Sequence, residues 1–210
     1  MMTIQGIIEQ LQSAPSKMDQ FNPYLDICTT HDLPNAPEIR CRNLMQYLEA
    51  QLDLKPKSFW IGESPGYNGV RRSGLYLLSE PQLEKLSSRL HCTPFQKATK
   101  TPDKATNTSK QVWKMIQTLP EVPLTYDAFP FQLMQSIAPF RNRSPKKAEL
   151  RKYAFLLKEL IQLFQPETVI AIGRKAEFAL KELEIPAHYV RHPAHGGQPA
   201  FEAGILSIYS

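Results

Sequence analysis

Trp60-Ile61-Gly62-Glu63-Ser64-Pro65-Gly66-Tyr67-Asn68-Gly69 ends a short apolar run in an acid set among glycines and a proline. That pattern marks the C-terminal end of a strand in a parallel α/β sheet, where ligands bind in the crevice outside the strand ends. Ser58 to Ile61 supplies the strand. Three further strands are expected at Val122 to Phe129, Thr168 to Ile172 and Ala187 to Val190. Thr168-Val169-Ile170-Ala171-Ile172 is apolar almost throughout, which predicts a central strand covered on both faces.

Helical patterns alternate with these strands. Ile4, Ile7, Ile8 and Leu11 fall at helical spacing near the start of the chain. Further helices are expected from Glu38 to Leu52, from Pro81 to Leu90, and from a Thr108 or Ser109 cap to Pro120. Ser144-Pro145 signals the start of another, stopped by Pro166. The last two run from Arg174 to Leu183 and from Pro199 to Ile208. Glu63 to Glu80 and Pro130 to Arg143 read as loops, and His91 to Asn107 as a mobile polar segment. The alternation predicts an α/β fold: three α/β/α layers around a four-stranded, mostly parallel central sheet. Residues 1–210 form one domain in this reading, with 1–55 as an N-terminal helical extension packed on it. Right-handed crossovers gather the carboxyl ends of parallel strands at one edge, so Glu63, Asp127 and His192 are expected to share a crevice.

Composition narrows the class. The 210 residues are 42% hydrophobic and 21% charged, which is ordinary for a globular protein. No apolar run approaches the roughly 20 residues that span a bilayer, and no basic-then-apolar leader opens the chain. The expectation is a monomer in the cytoplasm with no membrane contact. Cys28, Cys41 and Cys92 are too few and too far apart for an iron–sulfur or CxxC metal signature. The formal charge of +5 suits a polyanionic partner. His188, His192 and His195 have the spacing of a helical metal site, but Pro193 opposes a helix there, so no metal is expected.

The motifs carry a resemblance. Gly62-Glu63-Ser64-Pro65-Gly66 resembles the first motif of the uracil-DNA glycosylase superfamily in its GEAPG form. His192-Pro193-Ala194 resembles the second, a histidine–proline–small triplet near the C-terminus. Pro139-Phe140-Arg141-Asn142-Arg143-Ser144-Pro145 and Val169-Ile170-Ala171-Ile172-Gly173-Arg174-Lys175-Ala176 resemble the interior segments between them. The order and spacing agree over roughly residues 57 to 204, and the wording is closest to a bacterial branch that lacks the iron–sulfur cluster.

The resemblance implies a cofactor-free DNA glycosylase that cleaves the bond between deoxyribose and uracil, or a related altered base, in base excision repair. Positive charge builds on the sugar and negative charge on the departing base. Glu63 would stabilise the first and orient water; His192 would donate to the base oxygen. Gly62, Ser64, Pro65 and Gly66 would approach the substrate, with Tyr67 a candidate wall near the base C5 position. Arg141, Arg143, Arg191, Ala194, His195 and Gly196 would face the DNA backbone.

Two positions depart from the family. Asp127 stands where an asparagine is expected to pair with uracil N3–H and O4. An ionised aspartate accepts from N3–H but repels O4, so either the pocket keeps Asp127 protonated or the preferred base is not plain uracil. Gly74-Leu75-Tyr76-Leu77 replaces the context that supplies a stacking phenylalanine, leaving Tyr76 or Leu77 as platform. A superfamily member that binds single-stranded or damaged nucleic acid without turnover is the alternative. A generic nucleotide-binding protein ranks below both, because Gly62 to Gly69 fits neither GxGxxG nor GxxxxGK[ST]. Gly173-Arg174 reads as a packing turn and Lys175 as a solvent-facing side chain.

Overall fold

A computed structural model describes residues 2–135 and 138–210. Ser136 and Ile137, inside the expected loop from Pro130 to Arg143, lie outside the described residues, as does the side chain of Pro139. In chain order the elements are α1 (Ile4–Ser13), β1 (Gln20–Phe21), α2 (Ala36–Leu54), β2 (Ser58–Gly62), α3 (Val70–Ser73), α4 (Leu83–Arg89) and α5 (Asn107–Thr118). Then follow β3 (Leu124–Asp127), β4 (Gln132–Gln135), β5 (Ala138–Asn142), α6 (Lys147–Phe164), β6 (Thr168–Ile172), α7 (Arg174–Glu182), β7 (His188–Val190) and α8 (Gln198–Tyr209).

The main sheet has the order β3-β2-β6-β7 and is parallel throughout, flanked by helices in a three-layer α/β/α arrangement. β2 and β6 are its inner strands. Phe59, Trp60, Ile61, Ile170, Ala171 and Ile172 are all fully buried, which is why both segments read as unbroken apolar runs. From β2 the chain moves outward to β3, then crosses to the other side of β2 to build β6 and β7. The strand order therefore reverses at β2, and the crevice at its carboxyl end is the topological switch point.

Caps and stops follow local chemistry. Thr3 caps α1 through its side chain, and Thr106 caps α5 by accepting from Ser109 N–H at 2.9 Å. The cap of α5 thus lies two residues before the earliest one expected. α6 begins at Lys147, because Ser144 and Pro145 are spent on the approach to the helix.

Two regions differ from the sequence reading. β1, β4 and β5 form a second, antiparallel sheet where 130–143 reads as loop. Its strands are short and carry Pro and Gln, so their periodicity is weak. The 91–107 segment is stapled rather than free. Thr99 bridges to Asp32, and the Arg72 guanidinium donates to Thr99 Oγ1 at 2.9 Å and Pro102 C=O at 2.8 Å. The N-terminal extension, in turn, braces the segment after the first motif: Tyr24 O–H donates to Gly74 C=O at 3.0 Å and Asn43 to Ser73 C=O at 3.0 Å. Among the described residues, no helix is long and apolar enough to cross a membrane.

Candidate active site

A cleft of about 550 Å³ opens over the carboxyl ends of the four parallel strands. Its floor is set by pairing between β2 and β3. Gly62 stands opposite Asp127, and the ladder continues as Ala128 N–H donates to Gly62 C=O at 2.9 Å and Phe129 N–H to Glu63 C=O at 3.1 Å. Glu63 is therefore held by its backbone while its carboxylate, half-buried, enters the cleft without a hydrogen-bond partner among the described residues.

Gly62 is required by close approach. A Cβ there would collide with Asp127 Oδ1 and Leu77 Cδ2. Asp127 is buried and lines the cleft, and its Oδ1 has no hydrogen-bond partner among the described residues. Burial, and secondarily the Glu63 carboxylate, push its pKa well above the ordinary aspartate value. Leu77 covers the same spot with φ at +61°, a left-handed conformation costing a branched residue on the order of 1–3 kcal/mol. It lines the cleft beside Asp127.

The far wall comes from β6 and β7. Gly173 N–H donates to Val190 C=O at 2.9 Å, and the chain passes on to His192. Gly173 has φ of +92°, and a Cβ there would sit 3.1 Å from His192 Cβ. At Gly197 a Cβ would strike the His192 carbonyl, so the Gly196-Gly197 pair lets this loop fold over the histidine. Ala194 N–H donates to His192 Nδ1 at 3.1 Å. With Nδ1 accepting, the ring proton resides on Nε2, which is left as a donor. Burial lowers the His192 pKa; Glu63 opposes this and Arg191 and His195 add to it. The imidazole is neutral at pH 7.

Ser64, Pro65 and Gly66 line the cleft, and so do Arg143, Arg191, Ala194 and His195. Arg191 and His195 are exposed at its rim. Arg143 is committed elsewhere: it binds Glu149 at 2.7 Å and Asp19 at 2.5 Å, and these partners raise its pKa. Arg141 and Gly196 are exposed but stand outside the lining.

Three expectations are corrected. Tyr76 is no platform: it is fully buried, its ring centroid 4.0 Å from that of Tyr126 and its hydroxyl donating to Pro130 C=O at 3.1 Å. One residue of phase separates it from Leu77, and successive side chains point apart. Lys175 is not solvent-facing, since its Nζ donates to Pro145 C=O at 2.8 Å and it lines the cleft. Tyr67 lies outside the lining as well, its hydroxyl 2.5 Å from His31 Nε2. Thr106, Thr108, Asn142 and Ser144 complete the wall unforeseen. Asn142 was within reach of sequence reading, because it lies in a quoted motif segment; the threonines carry no pattern. Among the described residues, no cluster of His, Cys, Asp or Glu is placed to hold a metal ion.

The sequence model of the uracil DNA glycosylase superfamily matches residues 49–209. The chain belongs to the uracil DNA glycosylase superfamily. The match covers the whole main sheet, from α2 to α8, and both glycine-bearing motifs that shape the cleft. A search of curated proteins finds no match. Superfamily membership accounts for the ordered motifs and for a glycosylase-type hydrolase fold that acts on DNA.

Proposed function

We propose that this protein is a DNA glycosylase that hydrolyses the N-glycosidic bond of uracil, or a related altered base, flipped out of DNA for base excision repair. The observation that carries the reading is the pairing of Glu63 with a neutral His192 across one cleft, each held by glycine-dependent backbone contacts.

A flipped nucleotide placed between them meets opposite chemistry at its two ends. As the C1′–N bond breaks, its electron pair leaves with the base. The Glu63 carboxylate stabilises the cationic sugar and orients water, whose oxygen bonds to C1′ as its proton passes toward the carboxylate. His192 Nε2–H donates to the base oxygen where negative charge collects, and the base then takes a proton from solvent. A neutral imidazole keeps its own proton while donating. Asp127, undissociated on the floor, offers an O–H donor beside a C=O acceptor, as an amide sets an N–H donor beside its carbonyl. It can therefore meet both N3–H and O4 of uracil. Arg191, His195 and Arg174 at the rim supply attraction for the phosphate backbone.

Pure protein incubated with single- and double-stranded oligonucleotides bearing uracil, hypoxanthine or xanthine is expected to leave abasic sites in at least one. Absence of abasic product from these and from a wider panel of altered bases overturns the catalytic reading. One observation favours a second reading, a binding protein without turnover. Leu77 gives the base a smaller platform than an aromatic ring. Salt-sensitive DNA binding that survives Glu63→Ala, with no cleavage by the wild type, selects it.

A further inference from the structure

Beside the cleft stands a ledge of aromatic rings that the proposed reaction does not use. Phe140 projects from β5 and is 47% exposed. Its ring centroid lies 4.7 Å from that of Tyr67 and 5.7 Å from that of His31, and the His31 and Tyr67 rings are themselves 5.7 Å apart. Beneath them, the buried Arg71 guanidinium sits 5.3 Å from the Tyr67 centroid and 5.8 Å from that of Phe140. A half-exposed phenylalanine on its own needs no explanation. This one differs because ring contacts and a cation fix it in place, so little rotamer entropy remains to be lost when something stacks on it.

The ledge is continuous with the cleft. Asn142, two residues further along β5, lines the cleft wall. Its Oδ1 accepts from Tyr67 N–H at 3.1 Å and from Gln132 Nε2 at 3.2 Å, while Gln132 Oε1 accepts from Arg71 at 2.7 Å. One hydrogen-bonded chain thus joins the ring support to the site.

We infer that Phe140, backed by Tyr67 and His31, is a stacking site for an unpaired nucleobase next to the flipped nucleotide. This rests on the cleft being the DNA site. Every base has a π-face, so the contact is indifferent to sequence. In an intact duplex the neighbouring base is already stacked, so the ledge favours strands with unpaired flanks.

The test uses the full-length protein, Phe140→Ala and Phe140→Trp. The probe is a short thymidine oligonucleotide with 2-aminopurine on one side or the other of an uncleavable 2′-fluoro-2′-deoxyuridine, single-stranded or annealed. Expected for the wild type is quenching of 2-aminopurine on one flank of the single strand. Phe140→Ala loses that quenching and binds the single strand about tenfold more weakly, while duplex binding changes less than about threefold. Phe140→Trp restores both signals. Unchanged single-strand binding and quenching in Phe140→Ala overturn the inference, and so does a loss that tryptophan does not restore, which would make Phe140 a support for its hairpin. A wild type that neither binds nor cleaves any strand overturns the glycosylase reading along with it. A wild type that cleaves and binds, beside an unaltered Phe140→Ala, overturns the ledge alone.

Discussion

Two regions of this molecule bury acids, and they do so in opposite ways. Beneath the segment that follows the first motif, Asp32 and Glu80 are each 4% exposed and each is paired with an arginine. Asp32 pairs with Arg40 and accepts from Cys28 N–H at 2.8 Å; Glu80 accepts from Arg72 Nε at 2.8 Å and Thr99 Oγ1 at 2.7 Å. On the cleft floor Asp127 is 2% exposed, yet its Oδ1 has no partner among the described residues and the charge that acts on it is another acid, Glu63. A buried carboxylate without a partner costs several kcal/mol, so it must either be neutral or be waiting for a ligand. The paired acids hold the chain in place. The orphan one lies on the cleft floor, where the proposed reaction would bring a substrate edge. Glu63 is the intermediate case, without a partner but open to the cleft.

The contrast can be broken most sharply at Glu63. Glu63→Gln is expected to lower turnover on the preferred substrate about a thousandfold while leaving DNA affinity within about threefold. A matching loss of affinity would make Glu63 a binding residue. Next in size is Glu80→Ala. Removing one member of a buried pair strands Arg72, and urea unfolding is expected to show a loss of about 3 kcal/mol. A loss below about 1 kcal/mol would mean that the brace is not held by its ion pairs. His192→Ala removes the donor at the leaving base, and single-turnover rates are expected to fall about a hundredfold. Unaltered single-turnover rates would remove the histidine from the reaction. Gly62→Ala, which forces a methyl against Asp127 and Leu77, is expected to cost about 1–3 kcal/mol in stability. A neutral effect would show that the floor can yield.

Much of the main sheet was legible because its strands obey one rule, an apolar run ended by glycine or a polar residue, and the buried β2 and β6 follow it most strictly. Glu63 and His192 were legible for the same reason, as strand-end residues inside motifs whose glycines are needed by the backbone. The brace was not. Arg72, Glu80, Thr99 and Asp32 come from four separate segments, and a buried ion pair leaves no period in sequence. Tyr76 and Leu77 both read as candidate platforms, and of the two only Leu77 reaches the cleft. That choice is made by the left-handed φ of Leu77, which no propensity for leucine predicts. Lys175 turns inward because the Pro145 carbonyl lies within its reach, a contact between distant segments that no helical period encodes.

Asp127 gives the subtlest test, because its two expected effects point in different directions from those of the paired acids. Below about pH 4 the carboxyl is protonated in both the folded and the unfolded chain, and pH does not separate the wild type from Asp127→Asn. Above that, the unfolded chain releases a proton that the folded protein retains, since burial and Glu63 hold the folded pKa well up. Wild-type stability is therefore lost as pH rises from about 4 toward the folded pKa, and asparagine, which cannot ionise, escapes the loss. The stability of Asp127→Asn relative to wild type is expected to grow with pH across that window, the reverse of the destabilisation at Glu80. Parallel stability curves from pH 4 to pH 8 would show that Asp127 is ionised in the fold. In activity, an amide cannot move its donor and acceptor between atoms as an undissociated acid can, so the variant is expected to shift base preference toward uracil. An unchanged substrate profile would place Asp127 beneath the site without a role in reading the base.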